Sequence, residues 1–272
     1  MASAAPPAPP ALRPRSATEL VDASFQLYRA HFTTFVMCAA VAYLPLLVLQ
    51  LFYVGDTNAL VAEGTPEAMM RLMGRNAVGY LAQAMVVSLM TAVLVVCTSQ
   101  AYLGERVDMG TAVRRVVPRA GRLMLSAVLL LAMSVGALFA FVFPVIYVFA
   151  RYFAVTPAIV LEDVDLSGAF RHSSELSRGR KWHVLNTIGL ASLIYWVVLI
   201  SVSVLAALAA ESFVLRTVAV AVARVVSYPV VAVALTLVYY DTRIRNEGLD
   251  IELMTDALLL PPAPSSAPPI AS

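Results

Sequence analysis

Arg151 and Arg224 are the ionisable side chains that fall inside long apolar runs of this sequence, in VIYVFARYFAVTP and VAVARVVSYPVV. An ion in the hydrocarbon region of a bilayer is costly unless it is paired or used, so intramembrane chemistry is sought first at such residues. Arg151 lies ten residues before Leu161, about 15 Å along a helix, which sets it near the bilayer midplane if the run ends there. Arg224 lies 16 residues before Tyr240, about 24 Å along, close enough to the outer surface to snorkel. Arg151 is the candidate intramembrane polar site, and two readings of it are open. In one it lines an internal cavity and contacts an anionic substrate or headgroup. In the other it bonds carbonyls freed by Pro157, or sits shallower because its span starts earlier. Ser134, Tyr195 and Ser201 are the polar partners expected for it within the bundle.

Other chemistry is sparse. No Asp or Glu falls inside an apolar run, which disfavours a carboxylate relay and with it an ion-coupled transporter. His31, His172 and His183 show no HxxxH spacing, and Cys38 and Cys97 sit in apolar runs as two buried thiols, so neither a metal site nor a disulfide framework is suggested. There is no Gly-rich phosphate loop, no G-x-S-x-G and no carboxylate pair in an apolar pocket. No cofactor and no catalysis are expected. Proline interrupts four runs, at Pro45, Pro144, Pro157 and Pro229; broken helices can mark transporter sites, but proline is common in membrane helices generally.

The elements that must carry these residues are membrane spans. Sixty per cent of the 272 residues are hydrophobic and 13% charged, with a mean hydropathy of +0.81, against about a quarter charged in an ordinary soluble domain. Apolar runs cover 33–54, 78–103, 123–161, 184–209 and 217–240. The third has 39 residues, about right for two crossings of about 20 each. The positive-inside rule supports that division, because two crossings put 14 of the 19 basic residues on one side, leaving Arg71, Arg75 and Arg216 on the other. The fold expected is therefore all-α, a polytopic integral membrane bundle of six transmembrane helices (33–54, 78–103, 123–140, 143–161, 184–209, 217–240). Both termini face the cytoplasm. Residues 1–16 and 256–272 are Pro/Ala-rich tails that cannot bury a core, and 17–255 form the membrane domain; the first tail lacks the apolar stretch of a secretory signal.

Short stretches with helical periodicity precede the first, third and fifth spans: Val21, Phe25, Tyr28, Phe32; Met109, Ala112, Val113, Val116, Val117; and Leu166, Ala169, Phe170, Ser173. Each reads as an amphipathic helix in the membrane interface. The second and third share a local pattern, DMGTAVR against DLSGAFR, so three units of interfacial helix plus hairpin are conceivable from the sequence.

The last span ends in YYDTRIRNEGLDIELM, residues 239–254. On a continuing helix Asp241 pairs with Arg245 and Arg243 with Glu247, each pair worth about 0.2 to 0.5 kcal/mol, too little to explain so dense a cluster. Gly248 is placed to end the helix. The expectation is a clasp in which Asp241, Glu247, Asp250 or Glu252 meets Arg114, Arg115, Arg171 or Arg178. A docking site for a soluble partner and a solvated tail are the other readings.

LVDASFQLYRAHF, ARYFAVTPAIVLED running into SGAFRHSSELSRGRKWHVL, and YYDTRIRNEGLDIELM together resemble the bacterial glycerophosphoryl diester phosphodiesterase membrane-domain family, over roughly residues 17–254. In the proteins that give the family its name such a domain is fused to a soluble phosphodiesterase barrel with an HRG motif, which this chain lacks. The resemblance thus implies a polytopic anchor or lipid-facing module, not an enzyme. The function expected is a non-catalytic inner-membrane module, a scaffold or sensor whose partners are anionic phospholipids or another protein. Basic interfacial helices would attract headgroups by about 1 kcal/mol per Lys or Arg. A transporter or exporter of an anionic or amphipathic solute is the alternative. Nucleic acid is not an expected partner.

Overall fold

A computed structural model describes residues 15–140, 142–209 and 212–247, with the backbone alone for 52–59, 61, 62, 140, 142, 143 and 247. All regular structure among the described residues is helical: α1 (Ala17–Ala30), α2 (Phe32–Glu63), α3 (Pro66–Tyr102), α4 (Met109–Val116), α5 (Ala120–Ala140), α6 (Val142–Arg151), α7 (Val155–Leu161), α8 (Leu166–Leu176), α9 (Lys181–Ala209) and α10 (Phe213–Glu247). Six segments are long and apolar enough to cross a membrane: Phe32–Leu51, Pro66–Tyr102, Met109–Phe139, Pro144–Leu161, Lys181–Ala209 and Phe213–Asn246. The division of the 39-residue run into two holds, with α5 ending at Ala140 and α6 opening at Val142.

Helices α3 and α10 form the middle of the bundle. Over half of the most apolar window of α3 is buried (56%), against 11% for α9, so α9 lies at the periphery with Leu193, Trp196, Val197, Ile200 and Leu205 outward. Small hydroxyl residues stitch the centre: Thr91 and Ser99 on α3 bond the hydroxyls of Tyr228 and Tyr240 on α10 at 2.7 and 2.6 Å, and Ser88 donates to the Leu123 carbonyl of α5 at 3.1 Å. Interhelical hydrogen bonds of this kind average about 0.6 kcal/mol in a membrane, so their use is alignment more than strength.

The first hairpin departs from its hydropathy. Instead of a loop over 55–77, α2 runs on to Glu63 and α3 starts at Pro66, with a turn at Gly64 (φ 63°) and Thr65 between them. Thr65 caps the Ala68 amide and Pro66 takes the first helical position, both good start signals. Hydropathy reports where a chain is greasy, not where a helix ends.

Three amphipathic helices form at the expected places, but their apolar faces meet protein. Leu20, Val21, Ser24 and Tyr28 of α1, Ala112 and Val116 of α4, and Ala169, Ser173 and Leu176 of α8 are buried. Helix α1 lies along α10: the Arg15 amide bonds Asp241, and the Tyr28 hydroxyl donates to the Val226 carbonyl, a separation of about 22 Å on that helix. The reading of these helices as interfacial is corrected to this extent, since the surface that a lipid would have covered is used against neighbouring helices. The DMGTAVR and DLSGAFR likeness has a local cause. Asp108 accepts from the amides of Gly110 and Thr111, and Asp165 from that of Gly168, so both stretches are one N-capping device used twice.

The fourth candidate span is broken at Tyr152–Ala154. Pro157 lacks an amide hydrogen, and in a continuous helix its ring would collide with the Phe153 carbonyl. Buried Ser173 of α8 repairs the gap, donating to the Arg151 carbonyl at 3.1 Å and accepting from the Ala154 amide at 3.0 Å. After the break α7 packs against α3, α5 and α8, with Val155, Ala158, Ile159 and Val160 fully buried.

Candidate functional site

Because α6 ends at Arg151, the depth inferred from a helix unbroken to Leu161 does not apply. Arg151 sits at the foot of α6, beside α8 and the first residue of α9. Its Nη1 donates to the Tyr147 hydroxyl at 3.0 Å, one turn back on its own helix, and Lys181 Nζ donates to the same oxygen at 3.1 Å. The ammonium also stands 4.2 Å from the centre of the Tyr147 ring, and the guanidinium 5.6 Å from that of Tyr152. The hydroxyl oxygen thus accepts from two cations on two helices. Ser134, Tyr195 and Ser201 are not its partners; Ser134 bonds back to the Leu130 carbonyl of its own helix.

A hydroxyl has two acceptor sites and one proton. With both acceptor sites occupied, the Tyr147 proton is free to point outward, next to two positive charges. Among the described residues no carboxylate pairs with Arg151 or Lys181, and Arg151 Nε is buried without a hydrogen-bond partner. Cation–π contact offsets part of the cost of bringing two cations together, about 0.5 to 1 kcal/mol at an exposed site. Around the cluster Phe149 is 64% exposed and Trp182 78%, aromatic surface of the type that favours headgroup depth. The arrangement can hold an oxyanion: three donors converge from Arg151, Lys181 and Tyr147.

The described part of the charge cluster that ends α10 contacts the segment before α1, the start of α9 and the linkers after α7 and α8, through partners other than those expected. Asp241 is 3% exposed and accepts from the Arg15 amide at 2.8 Å, His183 Nε2 at 2.9 Å and Arg245 Nε at 2.8 Å. The anticipated Asp241–Arg245 pair is present, as one of three contacts. Arg245 also donates to the Arg15 carbonyl, while Asn246 accepts from Arg180 and donates to the Leu176 carbonyl. Arg243 reaches Glu162 at 3.0 Å, on the linker after α7. The side chain of Glu247, and all of Gly248, Asp250 and Glu252, lie outside the described residues.

The four arginines expected to receive these acids are placed otherwise. Arg114 stands 3.8 Å from Asp108, the cap of its own helix. Arg115 donates to the Val160 and Leu161 carbonyls, satisfying the end of α7 where helical partners run out. Arg171 and Arg178 are exposed.

Residues 162 and 163 were not foreseen. Glu162 accepts from the Tyr239 hydroxyl and lies 3.3 Å from His172 Nε2 and 3.0 Å from Arg243. Burial pushes its carboxyl upward, but the hydrogen bonds from His172 and Tyr239 and the Arg243 charge outweigh this and hold it below the usual range. Asp163, with φ 56°, occupies the left-handed region that Asp tolerates better than most residues. Arg122 and Arg119 grip it at 2.6 and 2.8 Å and hold its carboxyl low. The readable signal for the first site was the spacing of Tyr147 and Arg151, four apart and so on one helix face. Lys181, Glu162 and His183 gave none, because each is completed by a residue far away in the chain, and His172 meets Glu162 only because the chain bends between α7 and α8. No family model, no curated protein and no solved structure matches this chain.

Proposed function

We propose that the protein is a non-catalytic, lipid-facing module of the inner membrane, with both termini in the cytoplasm, and that it holds the headgroup of an anionic phospholipid of the inner leaflet at Arg151, Lys181 and Tyr147. The observation that carries this reading is the convergence of two cations on one phenol oxygen, beside exposed aromatic side chains. A phosphodiester would lie between the guanidinium and the ammonium, taking charge-assisted hydrogen bonds from both and a third from the Tyr147 proton. Its acyl chains would run along the apolar outer surface of α9. The resemblance read from the sequence motifs, which no family model matches, would make the module a scaffold or sensor for lipid or for a partner protein. The helices once expected to attract headgroups contribute less, since Arg115 and Arg119 are used within the protein.

Native mass spectrometry of the full chain released from nanodiscs tests the proposal. In discs of phosphatidylglycerol and phosphatidylcholine the wild type should retain phosphatidylglycerol preferentially, and Arg151→Gln with Lys181→Gln should abolish the preference. Arg114→Gln, a change at an exposed charge away from the cluster, should leave it intact. Equal retention by the double variant would refute the assignment.

A further inference from the structure

Methionine is sparse in this chain, 11 of 272 residues, yet three fall within five positions at the start of α3: Met69, Met70 and Met73. All three are exposed, at 55, 75 and 67%, although methionine is among the residues most often buried. Lipid is the first explanation for an exposed apolar side chain in a membrane bundle, and the length of α3 decides against it. The Thr91–Tyr228 hydrogen bond sets the register of α3 against α10. Counted back equally from that pair, Arg75 is level with Ser212, just before α10 begins, and Arg75 lines one cavity with Phe213. Phe213 is 27 residues before Tyr240, about 40 Å of helix, more than the about 30 Å of a hydrocarbon core. The methionines stand further out still, on the tip that α3 shares with α2 past the start of α10. Among the described residues from Pro66 to Asn76 no other large apolar side chain is exposed. Protein interfaces enrich aromatic residues along with methionine, and this face has none.

At about 100° per residue, Met69, Met73 and Met70 fall at about 0°, 40° and 100° around the helix, so the three thioethers share one face within about one turn. Met73 is four residues from one and three from the other, separations that bring Cβ atoms to about 5 to 6 Å. Three rotatable bonds in each side chain let the sulfurs converge on one point. Arg71 and Arg75 fall at about 200° and 240°, on the far side of the helix. Glu67 in the first turn offsets the positive end of the helix dipole, which would otherwise repel a cation. A thioether is neutral and soft. It offers nothing to a hard ion, which needs oxygen ligands, whereas Cu(I) and its analogue Ag(I) favour soft sulfur. We propose that Met69, Met70 and Met73 form a three-thioether site for a soft monovalent cation, Cu(I) in the cell, at the tip of the α2–α3 hairpin. The site stands apart from Arg151 and Lys181 and does not depend on them.

The test uses the purified full chain in an uncharged detergent and a chloride-free buffer, with Ag(I) as a redox-stable stand-in for Cu(I). Dilute hydrogen peroxide converts free thioethers to sulfoxides, and peptide mass spectrometry reads the extent at each methionine. With free Ag(I) at about ten times its Kd, oxidation of Met69, Met70 and Met73 should slow about tenfold. Met37, also 55% exposed but alone on α2, should be unaffected. Met69→Leu with Met70→Leu and Met73→Leu keeps volume and apolar character while removing the sulfurs, at exposed positions where folding is not at stake. Native mass spectrometry should show one Ag(I) fewer per chain in that variant than in the wild type, while Cys38→Ala with Cys97→Ala should keep the ion. Should the cysteine variant not fold, protection of the three methionines in the wild type decides alone. Equal Ag(I) in the leucine variant and the wild type would overturn the site, as would loss of the ion in the cysteine variant, which would place it between the two thiols. Equal protection by Zn(II) would overturn the choice of a soft monovalent ion.

Discussion

Replacing Asp241 by Asn keeps the shape of the side chain and removes its charge, which isolates what the carboxylate does. Three donors meet it, the Arg15 amide on one oxygen and His183 and Arg245 on the other, in surroundings where the side chain is 3% exposed. An asparagine can accept on one side only. In either orientation its NH2 group faces a donor, so at least one hydrogen bond becomes an unfavourable contact. Hydrogen bonds to a charged group are worth about 1.5 to 3 kcal/mol, and breaking a buried pair costs about 3 to 5. The contacts share one acceptor, so they do not add, and His183 and Arg245 can partly turn to water because they are about a fifth exposed. A loss of about 3 kcal/mol follows. On the scale of soluble domains of this size that is a fall in Tm of about 6 to 12 °C, measured in detergent by the fluorescence of a thiol-reactive dye at Cys38 and Cys97 as they become exposed. Asp22→Asn, at an exposed carboxylate of α1, should change Tm by less than about 2 °C. A shift for Asp241→Asn no larger than that of Asp22→Asn would refute the view that the end of α10 locks the bundle.

Glu162 gives a pH dependence of definite sign. Its carboxyl is held below the unfolded value, so it contributes stability above that value and loses it as pH falls through the folded one; a Tm series from pH 6 down to pH 3 should drop in the wild type more steeply than in Glu162→Gln. Ser173→Ala removes the side chain that bridges the break between α6 and α7 and leaves a buried amide and a carbonyl without a partner, at about 1 to 3 kcal/mol; a Tm within about 1 °C of wild type would show that water fills the place. A cysteine at Ser174, on the outward side of α8, should resist a membrane-impermeant maleimide added to intact cells and react in inverted vesicles. Labelling from outside would reverse the orientation.

Much of this architecture was legible in the residues. Six apolar segments, the hairpin hidden in 123–161 and the amphipathic character of α1, α4 and α8 all follow from periodicity and length. What those patterns do not encode is which surface covers which. The amphipathic face of α1 was equally suited to lipid and to α10, and only the position of Arg15 and Tyr28 against Asp241 and Val226 distinguishes them. The break after Arg151 was half readable, since Pro157 forbids a straight helix but does not say that Ser173 will stand in for the lost bonds. The pairing of the charges failed for a like reason: in a layer with arginines on every segment, opposite sign selects no partner.

The contacts of Asp241 also fix an order of events. Its helix is the last described element to leave the ribosome, yet it joins Arg15 and His183, which are made first and fifth among the segments that surround it. A chain stalled between residues 213 and 240 therefore carries α1 and α9 with nothing between them to accept their donors, and a polar seam stays open beside apolar helices already made. Closure across 226 residues of sequence must wait until Asp241 has been made, and its loop entropy is met in one late step. Chains truncated after Tyr240 should then be degraded faster in cells than chains that extend through Asn246, as pulse-chase labelling would show.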